Sequence, residues 1–444
     1  MNGPFEVKEY DKIIRKSCYT DEFEEKEKIS CLDDVDFDNL KAFITEFEKQ
    51  NDNEADILDF MKVDYQRKAG EIVSLKNYVG LIQMKDGFQI QILPKISFYP
   101  NEDNGNEETK RIFLRMLRSL KDFPSKLFNA ASLQVDRMNL YEVFIRMYLQ
   151  EVLQLVKHGI KSGYVEQEDN LKFFRGKLLT NKHIRMNAAH KERFYVSYDA
   201  YLPNRSENRL IKTTLVKLQK ITCSIENEKL IRHLYGYFDD VETSKNVEQD
   251  FTKVVMDRDM KEYESILKWS KIFLTDRSFT TFSGKNEARA LLFPMEKVFE
   301  SYVAQEMRKI VVPEGWEIST QDRQYHLFNE PRNIFALKPD IVLKNGKRTI
   351  ILDTKWKNLY NNPKKNYGIA QSDMYQMYAY SKKYNTSEIW LLYPISDDMR
   401  ANPLEKDIVF KSIEDGVEST VVKVYFVDVA NIEQSLNKLI KRIG

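Results

Sequence analysis

Two carboxylates and one amine stand close together in the segment from Lys338 to Trp356. Asp340 follows a proline, and a single threonine separates Asp353 from Lys355 at the end of an apolar run. Carboxylate oxygens are ligands that Mg²⁺ prefers, and the bound ion keeps waters that can reach a phosphate. A neighbouring lysine can orient or deprotonate such a water, or neutralise charge on the phosphate in the transition state. These residue types therefore suit metal-dependent cutting of phosphodiester bonds.

A predicted β-hairpin has to place these residues on one face. Asn345-Gly346 lies between two apolar β-branched runs, which is a strong hairpin signal. A two-residue type I′ loop at this point pairs Lys344 with Lys347. Because side chains alternate with a period of two, all three residues then emerge on the same face, with Asp340 and Asp353 as diagonal neighbours. A four-residue loop keeps this arrangement, and a three-residue bulged loop destroys it.

The hairpin pattern alone leaves a second interpretation open. A solvated strand face with an incidental ion pair explains the three residues equally well, because acid and lysine neighbours are common on strand surfaces. A helix predicted after residue 370, capped by Ser372 or Asp373, favours the interpretation as a catalytic site. It places Gln376 and Tyr380 one turn apart on one face, where they could hold a water or a DNA phosphate.

A second predicted helix, Met295–Val311, adds a further carboxylate. Glu300 lies at the edge of its apolar stripe and is a candidate extra metal ligand, for which Glu296 competes. The alternative that Glu300 is ordinary solvated surface stays equally open.

Composition predicts a folded protein of more than one domain. A chain of 444 residues is too long to form one ordinary hydrophobic core. Its 26 Phe and 24 Tyr against 15 Gly favour long regular elements. The formal charge of +1 gives no support for nucleic-acid binding, which local patches would have to supply. Three cysteines without a CxxC pattern indicate free thiols. The sequence has no signal-peptide core and no apolar run of bilayer length, so we expect a cytoplasmic protein.

Changes in hydrophobic period divide the chain into three predicted parts. Residues 1–105 predict a mixed α+β module with a second hairpin around Asp86-Gly87, and residues 106–280 predict a mainly helical middle domain. Residues 281–444 predict an α/β domain in which helices and strands alternate.

The same residues resemble a known nuclease family. Lys338-Pro339-Asp340, Asp353-Thr354-Lys355 and Gln376-x-x-x-Tyr380 occur in the order typical of the PD-(D/E)xK nuclease domain of McrC. McrC is the cleavage subunit of McrBC-type modification-dependent restriction systems. The likeness extends upstream through Arg175-Gly176-Lys177 and Asn208-Arg209 to the hairpin at 79–96, and it does not include residues 1–70.

The resemblance implies a restriction-endonuclease-like α/β fold for residues 281–444 and a role for each candidate residue. It implies metal ligands, a catalytic lysine and a helix residue that completes the active site. The implied metal ligands are Asp340, Asp353 and Glu300, the implied catalytic lysine is Lys355, and the implied helix residue is Gln376. Tyr380 and Glu296 stay supporting candidates from the helix patterns alone. The implied cofactor is Mg²⁺, with Mn²⁺ as an alternative.

The family also implies a division of labour between two chains. Its partner is a hexameric AAA+ GTPase that reads modified cytosine in double-stranded DNA, and the McrC-like chain docks through its N-terminal half and stimulates GTP hydrolysis. The present sequence has no Gly-x-x-x-x-Gly-Lys-Ser/Thr phosphate loop, so we expect it to bind no nucleotide itself. Arg175, Lys177 and Arg209 are candidates for contacts with the partner or with DNA, although a solvated helical face is the favoured explanation for each one alone.

Two other functions stay open. One is a stand-alone restriction or repair nuclease of the same fold that recognises its own sequence. The other is a non-catalytic adaptor that activates a AAA+ partner and keeps the nuclease fold only as a DNA clamp. The complete set of Asp340, Asp353 and Lys355 argues against the adaptor, because a decayed site normally loses at least one such residue.

Overall fold

The structure is a computed structural model with two compact units. It describes the chain except for residues 1–3, 20–28, 51–59, 68, 85–86, 97–104, 122, 125–137, 257–259, 276–288, 331 and 415–416. The first unit contains the described residues of Met1–Phe123 and Phe279–Gly444, and the second contains those of Met138–Ser278 together with Pro124. The N-terminal and C-terminal segments, which differ in their sequence patterns, thus share one unit.

The N-terminal segment forms two sheets with a common hydrophobic core. Its elements are β1 (Phe5–Lys8), β2 (Lys12–Arg15), β3 (Ile29–Leu32), α1 (Asp34–Gln50), β4 (Met61–Gln66), β5 (Gly70–Leu75), β6 (Tyr78–Gln83), β7 (Gln89–Leu93) and α2 (Gly105–Leu117). One sheet has the order β3-β2-β5-β4, and the other begins β1-β7-β6. The antiparallel pairing of β6 with β7 confirms the second hairpin, while Asp86 of its predicted turn lies outside the described residues.

The second unit consists of helices and one small sheet. Its elements are α3 (Leu140–His158), β8 (Gly163–Leu171), β9 (Lys177–Leu178), α4 (Thr180–Met186), β10 (Phe194–Leu202), α5 (Ser206–Ile221), α6 (Ile225–Tyr235), α7 (Val247–Lys253) and α8 (Lys261–Thr275). The sequence predicts the main helices but not the antiparallel sheet β8-β10-β9. This sheet buries few side chains, so its strands lack the apolar alternation that marks a strand in a sequence.

The C-terminal segment has alternating helices and strands. Its elements are β11 (Arg289–Pro294), α9 (Met295–Val311), β12 (Glu317–Thr320), β13 (His326–Phe328), β14 (Ile334–Ala336), β15 (Ile341–Asn345), β16 (Arg348–Thr354), α10 (Gln371–Tyr384), β17 (Glu388–Pro394), α11 (Asp397–Ala401), β18 (Val409–Glu414), β19 (Val417–Val427) and α12 (Ile432–Ile443). Strand β11 pairs antiparallel with β6 and completes the N-terminal sheet, although it lies beyond residue 281. The fold is therefore mixed α+β with several sheets.

A six-stranded sheet in the C-terminal segment positions the candidate site. Its order is β12-β15-β16-β17-β19-β18, and β16, β17 and β19 run parallel. The strands β15, β16 and β17 are almost fully buried, as expected for a sheet covered on both faces. Helix α10 packs through Met377 and Tyr380 against Ile351 of β16 and the neighbouring strands. Asp353 has the same parity as Ile351 and therefore points to the α10 face.

Candidate active site

The β15–β16 hairpin has a different register from the predicted one. Asn345 pairs with Arg348, so the loop is Gly346-Lys347 and the predicted pairing of Lys344 with Lys347 is wrong. A positive φ of 59° occurs at Gly346 but not at Lys347. A glycine with positive φ at the first loop position is typical of a type II′ turn, whereas type I′ requires positive φ at both positions. Both loops contain two residues, so the predicted side-chain parity is kept.

The observed register brings the two aspartates closer than the diagonal arrangement expected from sequence. Ile341 pairs with Leu352, and one further step sets Asp340 directly opposite Asp353. Asp340 Oδ2 accepts two hydrogen bonds from Thr354, at 2.8 Å from the backbone N and 2.6 Å from Oγ1. The Asp340 carboxylate is thereby fixed at the end of the strand that carries Asp353.

Asp353 is a buried carboxylate in an ion pair with Lys355. Its side chain is 1% exposed, and Oδ2 lies 2.7 Å from Lys355 Nζ. Beyond this ion pair, Oδ2 accepts no hydrogen bond from the described residues. Burial raises the pKa of Asp353 to about 7, and the neighbouring Asp340 charge adds to this effect, while Lys355 opposes it. Two adjacent carboxylates in a poorly solvated place are a natural ligand pair for a cation.

Lys355 links the carboxylates to helix α10. Its Nζ donates to Gln376 Oε1 at 3.1 Å, and Gln376 Nε2 donates to the Tyr380 hydroxyl at 2.7 Å. Burial lowers the pKa of Lys355, but the charge of Asp353 and that of Asp340 outweigh burial and leave this pKa raised. The side chain is therefore an ammonium at neutral pH, which suits stabilisation of negative charge better than proton abstraction. The helix begins at Gln371 with Ala370 at the cap position, so the predicted Ser372 or Asp373 cap is wrong.

Glu300 of α9 joins this group through a residue that the sequence does not predict. Gln321 Nε2 donates to Glu300 Oε1 at 2.7 Å and to Asp340 Oδ1 at 3.2 Å. Burial raises the pKa of Glu300 to about 7, and the Asp340 charge adds to this effect. Glu296, one turn earlier, is exposed, and its charge contributes to the raised pKa of Asp340.

The donor set fits a hard divalent cation. Mg²⁺ is commonly held by one or two carboxylates, with waters and substrate phosphate oxygens in the other positions. Asp340 and Asp353 supply such a pair, and Asp353 Oδ2 has lone pairs left beside its ion pair with Lys355. In the described part of the chain, no three His, Cys, Asp or Glu side chains form a ready-made metal cluster. The fit therefore rests on two carboxylates, with Glu300 close to them.

Comparison with known proteins identifies the family. The family model for the McrBC 5-methylcytosine restriction system component matches residues 73–394, which is more than half of the chain. The chain belongs to the McrBC family. None of the curated proteins matches the sequence.

Solved structures are similar to this McrBC-family chain. One belongs to the refined half-complex from the tetradecameric assembly of Thermococcus gammatolerans McrB AAA+ hexamers with bound McrC. It is 20% identical, covers 100% of both chains and has a TM-score of 0.69, so it supports the fold alone. Another, from the cryo-EM structure of the T. gammatolerans McrBC complex, is 22% identical, covers 70% of this chain and 87% of that chain, and has a TM-score of 0.45.

Thr354 and Gln321 both contact Asp340 in this McrBC-family chain, but the sequence indicates only one of them. Thr354 lies between Asp353 and Lys355, so its proximity to the site is visible, although its two bonds to Asp340 depend on the hairpin register. Gln321 follows β12, and its φ of 51° turns the chain so that its backbone N also donates to Asp340 O at 3.0 Å. Neither its residue type nor its spacing signals this position.

The candidate contact residues of this McrBC-family chain lie in the second unit. Arg175 and Lys177 are exposed, and the Arg175 guanidinium lies 4.2 Å from the centre of the Tyr198 ring. Arg209 instead forms an internal ion pair with Asp250 at 2.7 Å. Among the described residues, no helix is both long and apolar enough to cross a membrane.

Proposed function

We propose that this chain is the Mg²⁺-dependent DNA endonuclease subunit of a McrBC-like restriction system. It cleaves phosphodiester bonds in double-stranded DNA carrying modified cytosine when it is assembled with a McrB-like hexameric AAA+ GTPase, whose GTP hydrolysis it stimulates. The C-terminal domain, residues 281–444, acts as a PD-(D/E)xK nuclease in the cytoplasm. Residues 1–105 dock the partner, and the middle domain spans residues 106–280.

One observation carries this proposal most strongly. Two adjacent carboxylates, buried Asp353 and half-buried Asp340, lie opposite each other and face the Lys355 ammonium, and the pKa values of both carboxyl groups remain raised. A fold that needed these residues only for structure would not place two carboxylates side by side in a poorly solvated position, because their charges repel each other there. Membership of the McrBC family supplies the biological setting for such a site.

The chain's own residues divide the chemical work. Asp340 and Asp353 hold the cation, and Thr354 and Gln321 keep Asp340 in place. When bound, Mg²⁺ supplies positive charge that activates a water and stabilises negative charge on the phosphate. Glu300, held by the same Gln321 amide, adds a third carboxylate at the edge of the site.

Lys355 and Gln376 organise the opposite side of the site. Asp353 and Gln376 restrain the Lys355 ammonium, which therefore offers a fixed positive charge to a phosphate. Preorganised charge of this kind costs no reorganisation when the reaction occurs. The hydrogen bond from Gln376 to Tyr380 anchors this arrangement in the core of the domain.

Substitution of Asp353 in the reconstituted complex tests the proposal. Asp353→Asn keeps the shape of the side chain but removes its charge, so we expect DNA cleavage to fall by about a thousandfold or more. The partner's GTP hydrolysis should stay at the wild-type rate, because the variant still docks. The measurement is single-turnover DNA cleavage with Mg²⁺ and GTP, beside steady-state GTP hydrolysis.

Asp428→Asn is a matched control in the same unit. Asp428 pairs with Arg400 at 3.0 Å, so this variant loses a comparable ion pair away from the candidate ligands. It should cleave within about twofold of the wild-type rate, as is usual for substitutions outside the chemistry. Unchanged cleavage by Asp353→Asn would remove the catalytic assignment. If the purified chain cleaves DNA with Mg²⁺ but without GTP or partner, the assembly-dependent function is wrong and the chain is a stand-alone nuclease.

A further inference from the structure

Residues from the N-terminal sheet hold Trp356, which directly follows the proposed catalytic lysine. The Trp356 indole Nε1 donates to both carboxylate oxygens of Glu9, at 3.0 and 3.1 Å. The Trp356 carbonyl accepts a hydrogen bond from Lys95 Nζ at 2.9 Å. Trp356 and Glu9 are 1% and 2% exposed, so water does not compete for these contacts. Glu9 and Lys95, both from the N-terminal segment, thus fix the segment that carries Lys355.

Backbone pairing fixes Glu9 and Lys95 in turn. Glu9 N donates to Leu93 O at 2.9 Å, which continues the parallel pairing of β1 with β7. Lys95 N donates to Glu9 Oε1 at 3.1 Å, and Lys95 Nζ lies 4.4 Å from the centre of the Tyr10 ring. The Glu9 carboxylate therefore has partners on both oxygens and cannot shift without disturbing Trp356 or Lys95.

Burial of a charged carboxylate at this position is energetically unfavourable. It raises the pKa of Glu9 to about 7, and the Lys95 charge and the Trp356 hydrogen bond only partly oppose this effect. An apolar side chain of similar volume would fill the place without the loss of charge solvation. The carboxylate is thus better explained by the group that it orients than by its contribution to stability.

Movement of Trp356 is transmitted to Lys355 through a tight turn. Lys357 N donates to Lys355 O at 3.0 Å, which places Trp356 at the centre of a three-residue turn. Lys355 N donates to Leu392 O at 2.9 Å, and the Phe299 ring centre lies 5.3 Å from that of Trp356. The backbone of Lys355 is therefore set by β17 on one side and by the anchored Trp356 on the other.

We propose that Glu9 is a positioning residue for Lys355, acting through the indole of Trp356. The segment that directly follows strand β1 then contributes to the nuclease site, although it supplies no group that touches the substrate. This inference rests on the proposed function, because it assigns Glu9 a role in the reaction that Lys355 assists. Loss of the Glu9 carboxylate frees Trp356 and lets the Lys355 ammonium move away from Asp353 and Gln376.

Full-length variants in the reconstituted complex test this role. Glu9→Ala should lower single-turnover DNA cleavage about a hundredfold, since displacement of a catalytic group by about 1 Å has effects of that size. Glu9→Gln should recover most of this loss, because its amide oxygen still accepts the indole N–H. Glu6→Ala is the matched control three residues earlier, in β1, since Glu6 accepts hydrogen bonds from Gln91 and Lys110 instead. It should cleave within about twofold of wild type.

Two readouts besides cleavage separate positioning from general damage. The partner's GTP hydrolysis should be unchanged in Glu9→Ala, because Glu9 is buried and offers no surface to the partner. This result would show that the chain folds and docks. In chains labelled with 5-fluorotryptophan, the Trp356 ¹⁹F resonance, assigned with Trp356→Phe, should shift in Glu9→Ala and return towards the wild-type position in Glu9→Gln. Trp356→Phe keeps an aromatic ring but removes the N–H donor, and it should lower cleavage about tenfold.

The outcomes distinguish this inference from the proposed function. If Asp353→Asn abolishes cleavage while Glu9→Ala shifts the resonance and cleaves at the wild-type rate, the positioning role is wrong and the nuclease function stands. Equal losses in Glu9→Ala and Glu6→Ala would also overturn it, because the effect would then belong to the strand as a whole. If Glu9→Ala fails to fold, wild-type cleavage by Trp356→Phe overturns it instead. Cleavage that persists in Asp353→Asn contradicts the proposed function itself.

Discussion

Two buried charge clusters in this McrBC-family chain are built in opposite ways. In the second unit, the Arg209 guanidinium donates to both oxygens of Asp250, at 2.7 and 3.3 Å, and to Asn204 O at 2.7 Å. Burial tends to raise the pKa of Asp250, but its bonds from Arg209 and nearby hydroxyl groups outweigh burial and lower this pKa. This cluster is compensated.

The cluster around Asp353 is not compensated to the same degree. One ammonium, Lys355, faces Asp353 and Asp340, with Glu300 nearby, and the pKa values of all three carboxylates are raised. The difference is what we expect if Arg209–Asp250 serves the stability of the fold and the Asp353 cluster is the proposed cation site. The prediction that Arg209 contacts the partner or DNA is accordingly weaker than the prediction of a site at Asp353.

Loss of the Lys355 ammonium from the Asp353 cluster should have the largest effect. We expect Lys355→Met to lower single-turnover DNA cleavage about a thousandfold, because it removes the fixed charge beside the proposed phosphate position. Lys357→Met is the control, since Lys357 pairs with Asp373 at 2.9 Å and is more exposed than Lys355. Cleavage by the control should fall less than about tenfold. Equal losses in the two variants would show that the region needs positive charge in general rather than Lys355.

Breaking the compensated cluster should affect stability. Asp250→Asn leaves the Arg209 guanidinium without its charged partner, so we expect the free energy of unfolding to fall by about 3 kcal/mol. Denaturant titration followed by far-UV circular dichroism measures this change. A loss below about 0.5 kcal/mol would mean that the pair behaves as a surface salt bridge, and the contrast between the two clusters would disappear.

The smallest expected effect is a pH dependence of stability in the absence of divalent cations. The folded pKa of Asp353, about 7, lies above its ordinary value of 3.8, so the folded state holds its proton more tightly than the unfolded state. Stability should therefore be lost as pH rises from about 4 to about 7. Asp353→Asn should reduce the loss between pH 5 and pH 8 by about 2 to 3 kcal/mol, because it removes one contributor. Mg²⁺ should stabilise wild type more at pH 8 than at pH 5. An equal effect of Mg²⁺ at both pH values would argue against carboxylate ligands that compete with protons.

Local sequence patterns predict the elements that carry the site better than the contacts that complete it. The apolar stripe of Met295–Val311 predicts both ends of α9, and the run after residue 370 predicts α10. The parity argument brings Asp340 and Asp353 to one face even though the register itself is wrong, because both turn types have two loop residues.

The contacts missed by sequence depend on pairing between distant segments. Gln321 reaches Glu300 and Asp340 only because β12 pairs with β15 and places the following turn beside the hairpin. Glu9 meets Trp356 only because the N-terminal and C-terminal segments fold into one unit. Such contacts leave no periodic pattern in a single sequence, since each involves one residue from each segment.

Direct measurement of cation binding tests the central claim most directly. We would titrate the full-length chain with Mn²⁺ and follow free Mn²⁺ by electron paramagnetic resonance, with Asp353→Asn as the test variant and Asp428→Asn as the control. We predict saturable binding that competes with Mg²⁺ in wild type and in the control, and at least about tenfold weaker binding in Asp353→Asn. Equal Mn²⁺ affinity in wild type and Asp353→Asn would contradict it.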